Sequence, residues 1–453
     1  MSVTRKYGLI GHPLGHSLSP YIHERIMDEA GIQGTYTLYD LAPEELERAV
    51  PALLKDLDGF NCTIPHKSAI PDFLDSLDDV SRRYGAVNTV FKRRGYNTDR
   101  EGFLASAPDL SGKRVLLLGA GGVSRMMASE AVVQGAKLTI CARNAEKRDG
   151  LIQELRSQEG ASASGIEYPE EADGTAFDVL LNGTPLGMWP NARRMPTTAA
   201  VFREGQVVYD TIYNPCATKW LMQARMRGLE AVSGLSMLLL QAVAAQKIWN
   251  PDVDFAEERM LRILPELSRE LLGRFPVKYL FTGFMGSGKT TIAARLSRIL
   301  NIPFLDLDDE IVKARGCSIP EIFERDGEAG FRKTEALVLE ELLKKPGSCL
   351  LALGGGAIVQ EPVQRVCEQY QALTVLVDVS FAKIWQRVRN HGGRPLLGSQ
   401  QESEGERFTK AAALYEARLP VYQGTADVTI DGDKSKAAVC AETLRIFGLE
   451  EAR

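Results

Sequence analysis

The sequence predicts an α/β protein built from at least two folding units. Short apolar runs bounded by Gly or Asn, such as YGLIG, VLLLGAGG and VLLNG, alternate with longer stretches of helical periodicity. This alternation is typical of βαβ units on a parallel sheet. It starts again after residue 278, with YLFTGF, PFLDLD, SCLLALGGG and TVLVDV as candidate strands. Because a domain has about 100–200 residues, the length of 453 residues also predicts more than one core.

Composition and charge exclude several classes of protein. With 44% hydrophobic and 25% charged residues, the chain has the composition of an ordinary globular protein. The net charge of −5 gives no basic excess for a nucleic-acid partner. The apolar stretches are shorter than the about 18 residues of a membrane helix, and the seven cysteines are too scattered for a disulfide framework or a metal clip. We therefore expect a cytoplasmic protein that binds small molecules; the oligomeric state is left open.

The first half carries two groups of polar residues that suit a small substrate. The segment GHPLGHSLSP places Ser17 and Ser19 on one side of an extended chain. Two hydroxyls so placed suit a carboxylate ligand, and the alternative is that they cap the helix that begins near Pro20. Lys67, at the end of NCTIPHK, and Asp99 could together transfer a proton to a carbonyl oxygen as hydride arrives. Spacing alone favours two ordinary exposed charges.

A dinucleotide fingerprint follows the apolar run VLLL. Gly119, Gly121 and Gly122 open a predicted helix in the pattern G-x-G-x-x-S, with Ser124 where Gly or Ala is usual. At the end of the next strand, LTICAR, the acid expected for NAD is replaced by Arg143. A cation at this place favours the 2′-phosphate of NADP. We therefore predict NADP(H) as the cofactor, against the alternative of a Rossmann-like domain without a nucleotide.

These segments resemble the shikimate dehydrogenase family over about residues 5–265. The resemblance rests on GHPLGHSLSP, NCTIPHK, AVNTV, GYNTDREG, GAGGVSR, NGTPLGM, YDTIYNP and GLSMLLLQA, in this order. It implies NADPH-dependent reduction of 3-dehydroshikimate, with Lys67 and Asp99 as the catalytic pair. The implied substrate contacts are Ser17, Ser19, Asn61, Thr63, Lys67, Asn88, Asp99, Tyr213 and Gln241. The implied NADP contacts are Gly119, Gly121, Gly122, Ser124, Arg125, Arg143, Asn182, Thr184, Met188 and Gly234.

The resemblance also implies a two-domain dehydrogenase unit with its active site in the cleft. A substrate-binding domain would comprise residues 1–110 and 235–265, around a Rossmann NADP-binding domain of residues 111–234. Residues 266–277 would form a linker to a third domain, residues 278–453. The linker is short and not rich in Gly and Ser, so we expect the two units to be held near one another.

The second half begins with a complete phosphate-binding motif. Residues 283–290, GFMGSGKT, fit G-x-x-x-x-G-K-[ST] and lie between an apolar run and a helical stretch. The glycines let backbone N–H groups surround phosphate oxygens, Lys289 reaches the β- and γ-phosphates, and Thr290 can hold Mg²⁺. The alternative is a glycine-rich turn without a ligand. The predicted contacts, for ATP or GTP, are Gly283, Gly286, Ser287, Gly288, Lys289, Thr290 and Thr291.

Acidic residues and glycines follow the next apolar runs. Asp306 and Asp308 would lie beside the phosphates if they end a strand, where carboxylates bind Mg²⁺ or substrate hydroxyls. The alternative is a helix N-cap with acidic residues in the first turn. The triple glycine 354–356 would let a ligand approach the backbone closely, and a plain turn is the alternative.

Over about residues 278–450 the chain resembles shikimate kinase. The segments that carry this resemblance are GFMGSGKTT, DLDDEI, IFERDGEAGFR, the triple glycine, RPLL and ARLPVY. It implies a P-loop fold of the nucleoside-monophosphate-kinase type that uses ATP and Mg²⁺, with Thr290 and Asp306 at the metal. Arg394 would lie on a mobile lid and neutralise the transferred phosphate. The implied shikimate contacts are Asp308, Arg332, Gly354, Gly355, Gly356 and Arg418.

The two resemblances share one metabolite. The first unit would make the C3 hydroxyl of shikimate, and the second unit would phosphorylate that hydroxyl. We therefore predict a bifunctional enzyme with 3-dehydroshikimate and shikimate as its substrates. One alternative is a quinate/shikimate-type dehydrogenase joined to a kinase of another small alcohol. Another is a shikimate-sensing regulator without catalysis.

Overall fold

The computed structural model describes residues 4–157, 161–171, 177–389 and 402–449. Within these ranges the strands form three sheets, of six, six and five strands. The second and third sheets are parallel throughout; their central strands are almost entirely buried, and their edge strands are partly exposed. A parallel sheet is covered on both faces, which explains why its strands are continuous apolar runs in the sequence. The predicted α/β class is confirmed.

The first sheet is formed within residues 5–96. Its strands are β1 (Arg5–Gly11), β2 (Gly34–Asp40), β3 (Gly59–Cys62), β4 (Ser76–Leu77), β5 (Thr89–Phe91) and β6 (Arg94–Tyr96). They lie in the order β2-β1-β3-β5-β6-β4. The helices are α1 (Ser19–Ala30), α2 (Leu46–Asp56), α3 (Asp79–Tyr84) and α4 (Asp99–Ser106). Because β1 and β3 are parallel neighbours, the segments that follow them, with Ser17 and Lys67, meet at one edge.

The second sheet has the doubly wound order of a dinucleotide-binding fold. Its strands are β7 (Arg114–Leu118), β8 (Lys137–Cys141), β9 (Ser162–Ile166), β10 (Val179–Asn182), β11 (Val207–Asp210) and β12 (Glu230–Ser233). The order is β12-β11-β10-β7-β8-β9, so the direction of the winding reverses between β7 and β10. The helices are α5 (Gly122–Val133), α6 (Ala145–Arg156) and α7 (Lys219–Met226). Ligands of such sheets bind at this reversal, beyond the carboxyl ends of the strands.

A long helix connects the second sheet back to the first. This helix, α8 (Gly234–Trp249), begins at the end of β12 and packs against α4 and α1. A Cβ on Gly102 of α4 would lie 2.6 Å from the carbonyl oxygen of Met237, so the two helices touch through their backbones. At the other end of α8, Trp249 stacks on Tyr7 of β1 at 4.7 Å. The described chain then continues through α9 (Glu257–Leu261) and α10 (Leu264–Arg274), with Pro265 in the first turn of α10.

A buried carboxylate also joins the first two sheets. Glu130 on α5 is 1% exposed and accepts a hydrogen bond from Nε of Arg100 at 2.9 Å. The hydroxyl of Tyr84 on α3 donates to the same oxygen. Because Arg100 follows Asp99 on α4, this contact ties the start of α4 to the second sheet.

The third sheet has the strand order β14-β15-β13-β16-β17. Its strands are β13 (Lys278–Thr282), β14 (Phe304–Asp306), β15 (Cys349–Ala352), β16 (Leu373–Asp378) and β17 (Val428–Asp431). Its helices are α11 (Lys289–Leu300), α12 (Leu307–Arg315), α13 (Ile319–Lys344), α14 (Glu361–Gln369), α15 (Phe381–Val388), α16 (Glu404–Thr425) and α17 (Lys436–Phe447). The helix α13 is broken at Gly327, whose φ is +69°. None of the helices in the described ranges combines the length and apolarity needed to cross a membrane.

Candidate active sites

A lysine and an aspartate form a close pair at the edge of the first sheet. Lys67 lies in the turn after β3 and Asp99 begins α4. Nζ of Lys67 donates to Oδ2 of Asp99 at 2.6 Å, and each side chain is 29% exposed. Nδ2 of Asn88 donates to the other oxygen, Oδ1, at 2.9 Å. The carboxylate is thus held at both oxygens while the pair stays open to a ligand.

Further polar side chains hold the start of α4 in place. Oδ1 of Asn88 accepts from the backbone N–H of Thr98 at 2.8 Å. The hydroxyl of Thr98 donates to Oε1 of Gln241 on α8 at 3.4 Å. The predicted substrate residues Asn88, Asp99 and Gln241 therefore belong to one hydrogen-bonded group, with Thr98 as a member that the sequence did not reveal.

Asn61 lies beneath this group and is almost completely buried. Its Oδ1 accepts from the hydroxyl of Tyr36 at 2.7 Å, and its Nδ2 donates to the carbonyl of Asn88 at 3.1 Å. Tyr36 also contacts Ser19 through a hydrogen bond and stacks on His23, with ring centroids 4.2 Å apart. Burial lowers the pKa of His23 to about 3, which leaves the imidazole neutral. Tyr36 was missed because it lies in a strand without a motif.

The serine segment lies between β1 and α1. Oγ of Ser17 accepts from the backbone N–H of Ser19 at 3.3 Å. The N-cap of α1 is Leu18, whose side chain forms no cap bond. The bond to the N–H of Ser19, the first residue of α1, therefore makes Ser17 a partner of the helix start, in line with the predicted alternative. Thr63, after β3, lies against Gly11, where a Cβ would be 2.4 Å from the threonine methyl. The predicted residues Ser17, Ser19, Thr63 and Lys67 thus follow two adjacent strands at one edge.

The fingerprint loop follows β7. Gly119 has φ +105°, which favours glycine, and its N–H donates to the carbonyl of Cys141 at 2.8 Å. Gly121 and Gly122 are exposed, with open space where a Cβ would stand. Arg143, directly after β8, and Arg125 on α5 are exposed as well, and Arg125 pairs with Glu154. A phosphate can therefore reach the loop and both arginines.

Ser124, a predicted cofactor residue, lies under the fingerprint loop. It is completely buried, and its hydroxyl faces the carbonyl of Gly183 at 3.4 Å. A Cβ on Gly183 would lie 2.2 Å from Oγ of Ser124, so the missing side chain at 183 makes room for the larger residue in the fingerprint. The side chain of Ser124 therefore packs between α5 and the residue after β10.

The ends of β10 and β11 are joined by a buried carboxylate that the sequence prediction missed. Oδ1 of Asp210 accepts from Nδ2 of Asn182 at 2.9 Å and from the N–H of Ile212 at 3.0 Å, and Oδ2 accepts from Thr218 at 2.7 Å. Desolvation by burial raises the pKa of Asp210 to about 7. Asn182, fully buried, accepts from the N–H and the hydroxyl of Thr184 at 2.9 and 2.7 Å. Asn182 thus orients the turn that carries Thr184.

The remaining predicted residues of the first half lie close to this turn. Met188 is 40% exposed on the loop after β10. Gly234 begins α8, and a Cβ there would be 2.1 Å from the carbonyl oxygen of Thr211. The hydroxyl of Thr211 donates to the backbone carbonyl of Asn182 at 2.9 Å. Tyr213 lies on the loop after β11, and burial raises the pKa of its hydroxyl. The helix α8 thus connects Gly234, a predicted cofactor contact, with Gln241, a predicted substrate contact.

The phosphate loop lies between β13 and α11. Gly283, Gly286 and Gly288 have φ of +141°, +82° and +92°, a conformation that side chains disfavour. Lys289 begins α11, and the neighbouring Thr290 and Thr291 are exposed. The carbonyls of Gly286 and Ser287 accept from Nη1 of Arg387 at 3.0 and 3.2 Å. Arg387 lies on α15 and was not predicted.

Asp306 meets the phosphate loop and also caps a helix. Its Oδ2 accepts from the hydroxyl of Thr290 at 3.1 Å, and its Oδ1 accepts from the N–H of Asp308 at 3.1 Å at the start of α12. Asp306 therefore lies where both predicted alternatives place it, beside the phosphate loop and at the N-cap of α12. Hydroxyl and carboxylate oxygens are the ligands that Mg²⁺ prefers.

The triple glycine forms the floor of a charged pocket. A Cβ on Gly354 would lie 2.9 Å from Oδ1 of Asp308, and one on Gly356 would lie 2.9 Å from Arg332 and 3.3 Å from Arg418. Nη1 of Arg418 donates to the carbonyl of Gly355 at 3.2 Å. Burial raises the pKa of Asp308, and the charge of the adjacent Asp306 adds to this effect.

Glu335 is a further buried member of this pocket. It is 1% exposed and accepts from Nη1 of Arg332 at 2.8 Å. Burial raises its pKa, and the charges of Arg332 and Arg418 oppose this. Its position three residues after Arg332 on one helix is the signal in the sequence. The predicted lid residue Arg394 lies outside the described residues.

Comparison with known proteins identifies both halves. Residues 9–90 match the model of the shikimate dehydrogenase substrate binding domain, and residues 285–447 match the model of shikimate kinase. The NADP(+) shikimate dehydrogenase of Shouchella clausii is 38% identical over 258 residues, which are 54% of this chain and 93% of the relative.

Solved structures match the same part of the chain. A 5-ketofructose reductase of Gluconobacter has a TM-score of 0.53 at 31% identity, over 58% of this chain and 99% of that one. The shikimate 5-dehydrogenase of Thermus thermophilus, solved with NADP(H) and shikimate, has a TM-score of 0.52 at 30% identity, over 59% of this chain and 100% of that one. The chain therefore belongs to the shikimate dehydrogenase family, carries a shikimate kinase domain after that part, and is an enzyme in both parts.

Proposed function

We propose that this chain reduces 3-dehydroshikimate to shikimate with NADPH and then phosphorylates the C3 hydroxyl with ATP and Mg²⁺. The observation that carries the proposal is that the two parts match families named for the same molecule. The product of the first site is then the substrate of the second. We also propose domains at residues 1–110 with 235–265, at 111–234 and at 278–453, with 266–277 as the linker.

In the first reaction, NADPH supplies the hydride. The pair of Lys67 and Asp99 then supplies the proton to the substrate oxygen. The ammonium group of Lys67 can hold the substrate carbonyl oxygen and give it a proton as hydride adds, and the resulting neutral amine then takes a proton from solvent. The carboxylate of Asp99, 2.6 Å away, keeps the lysine oriented. Asn88 fixes the carboxylate from the other side. Ser17 and Ser19, at the same sheet edge, would bind the carboxylate of the substrate.

The cofactor would bind across the carboxyl ends of β7, β8 and β10. The exposed N-terminus of α5 suits the pyrophosphate, and the exposed Arg143 suits a 2′-phosphate. Thr184, Met188 and Gly234 would line the nicotinamide side. Asn182 would act through Thr184, because its own side chain has no exposed surface.

In the second reaction, ATP with Mg²⁺ supplies the phosphoryl group. The 3.1 Å contact between Thr290 and Asp306 fits a magnesium site, since both oxygens face the phosphate loop. Arg332 and Arg418 would hold the carboxylate of shikimate above Gly356, and Asp308 would orient the reacting hydroxyl. Arg394 keeps its proposed role at the transferred phosphate.

Two lysine variants test whether each site does its own reaction. We expect Lys67→Ala to lower NADPH oxidation with 3-dehydroshikimate by about 10²–10⁴-fold, the usual contribution of acid–base catalysis, and to leave ADP release with shikimate unchanged. Lys289→Ala should do the reverse. The exposed lysines Lys55 and Lys333 serve as matched controls. The proposal is wrong if the folded wild-type chain shows neither activity.

A substrate comparison tests the alternative of a quinate/shikimate-type dehydrogenase. The values of kcat/KM for oxidation of shikimate and of quinate separate a shikimate enzyme from a broader one, because an added hydroxyl at C1 needs its own partner. We expect shikimate to be preferred. A preference for quinate would contradict the proposed substrate while leaving the reaction type intact.

A further inference from the structure

The dehydrogenase unit, residues 4–265, and the kinase unit, residues 278–449, meet at a face that we call the unit interface. On one side lie α7 and the loop after β10. On the other side lie β17, the turn before β16 and the end of α17. None of these segments carries a residue proposed for catalysis in the kinase unit.

A buried charge cluster lies at the centre of the unit interface. Asp427, just before β17, is 1% exposed. Its Oδ1 lies 2.6 Å from Nζ of Lys219 and 3.1 Å from Nη2 of Arg193, and both of these cations belong to the dehydrogenase unit. Its Oδ2 accepts from the N–H and the hydroxyl of Thr374 within the kinase unit, at 2.8 and 3.0 Å. One carboxylate thus bonds to both units, one oxygen to each.

Hydrogen bonds to main-chain carbonyls extend this contact in both directions. Nη1 of Arg193 donates to the carbonyl of Ala372 at 2.9 Å. Nη1 of Arg225 on α7 donates to the carbonyl of Ile446 at 3.2 Å, and Arg445 returns a bond to the carbonyl of Arg225 at 3.0 Å. Each of these bonds joins an arginine side chain of one unit to the backbone of the other unit.

The apolar core is continuous across the same face. A single cluster of buried residues includes Trp220 and Leu221 from α7 and Phe447 from α17. Phe447 in turn stacks on Tyr279 of β13, with ring centroids 4.2 Å apart, so the contact reaches the central strand of the kinase sheet. The linker is held too, since the indole of Trp189 donates to the carbonyl of Pro276 at 3.2 Å.

These contacts differ from those of two domains that move freely. Domains within one chain usually meet through modest polar faces and move relative to one another, unless the contact is large and apolar. Here a carboxylate is buried whose charged partners come from the other unit. If the dehydrogenase unit unfolded, Asp427 would lose both of its cations and the apolar side chains of this face, Phe447 among them, would meet water. The folded kinase unit would then lose the stabilisation that this contact supplies.

We infer that the two units form one cooperative body, in which the Asp427 cluster makes the folding of the kinase unit depend on the dehydrogenase unit. A ligand that binds only the dehydrogenase unit must then stabilise the kinase unit as well. The size of that effect follows from linkage: at 100 times the dissociation constant, a ligand lowers the unfolded fraction about hundredfold.

Hydrogen exchange of the full chain with and without NADP⁺ tests this inference. Amides of central strands exchange only when the cooperative unit opens, so their rates report that opening. With NADP⁺ at 100 times its dissociation constant, we expect peptides from β13, β15 and β16 to slow about hundredfold, by the same factor as peptides from β7, β10 and β11. Unchanged rates in the kinase strands, with slowed rates in the dehydrogenase strands, would overturn the inference.

A variant tests whether the charge cluster carries the coupling. Asp427→Asn keeps the shape and the bond to the N–H of Thr374 but removes the charge that faces Lys219 and Arg193. The slowing of the kinase strands by NADP⁺ should fall to about tenfold or less, because the kinase unit can then open alone. Glu361→Gln is the matched control, since it breaks an exposed ion pair with Arg365 on the same helix, α14, and no bond to the dehydrogenase unit. Equal slowing in Asp427→Asn and in this control would show that the cluster does not couple the units.

Discussion

Replacing Asp210 by Asn should change how stability depends on pH. Asp210 is fully buried at the end of β11, and desolvation raises its pKa from 3.8 to about 7. Between these pH values the folded chain holds a proton that the unfolded chain has released. The free energy of unfolding therefore falls as the pH rises through this window, by about 1.4 kcal/mol per pH unit and about 4 kcal/mol in total. This contribution is complete below about pH 4 and is lost by about pH 7.

Asparagine can form the same hydrogen bonds without titrating. Its Oδ1 can accept from Asn182 and from the N–H of Ile212, as Oδ1 of Asp210 does at 2.9 and 3.0 Å. Its Nδ2 would replace Oδ2 and donate to the hydroxyl of Thr218, now 2.7 Å away. The side chain stays neutral at every pH, so the fall in stability attributed to Asp210 should disappear.

Urea unfolding of both proteins between about pH 5 and pH 8 measures this difference. From pH 5 to pH 7 the wild type should lose about 3 kcal/mol relative to Asp210→Asn, and above pH 7 the difference should stay constant. Asp178→Asn is the control, because a hydrogen bond from Arg114 lowers the pKa of Asp178 to about 2. The contribution of Asp178 to stability is therefore lost only when the pH falls below the pKa of an aspartate in the unfolded chain, outside the range measured. Equal pH slopes for the wild type and Asp210→Asn would refute the reasoning from desolvation.

Three further substitutions test the packing and the cofactor side. Gly102→Ala should push α4 away from α8 and lower the free energy of unfolding by about 1–3 kcal/mol. It should also displace Asp99 and so lower the dehydrogenase kcat, while kinase rates stay unchanged; an unchanged dehydrogenase kcat would contradict this. Glu130→Ala removes the buried acceptor shared by Tyr84 and Arg100, so urea unfolding should show a loss of about 1–3 kcal/mol, with a smaller loss for Glu130→Gln. Arg143→Asp should lower kcat/KM for NADPH relative to NADH; unchanged selectivity would remove Arg143 from the 2′-phosphate site.

Local motifs were predictable because their physics is local. The phosphate loop needs glycine at Gly283, Gly286 and Gly288 because φ is positive there, and this requirement is visible in the spacing. Asp306 was correctly expected to lie beside that loop or to cap a helix, and it does both. The alternation of strands and helices predicted parallel sheets, while the order of the strands in each sheet was not predicted.

Pairs formed across the chain were less visible. Lys67 and Asp99 are 32 residues apart, and without the family resemblance their spacing suggested two exposed charges. Asp210, Glu335 and Asp427 went unnoticed because their importance comes from burial beside partners on other elements, which no local pattern records. Ser124, by contrast, was predicted from a local motif. A motif position indicates where the chain runs, while the space left by the facing Gly183 decides where the hydroxyl points.

The helix α8 sets a length inside the dehydrogenase. Seven residues separate Gly234, beside the cofactor turn, from Gln241, beside Thr98 and Asp99. At about 1.5 Å per residue this is a stiff spacer of about 10 Å, with both ends in a fixed rotational register. An inserted or deleted residue in this stretch would turn Gln241 by about 100°, away from the substrate residues. The number of residues in this helix therefore sets the distance between the two halves of the cleft. Loops elsewhere in the chain can change length without altering that distance.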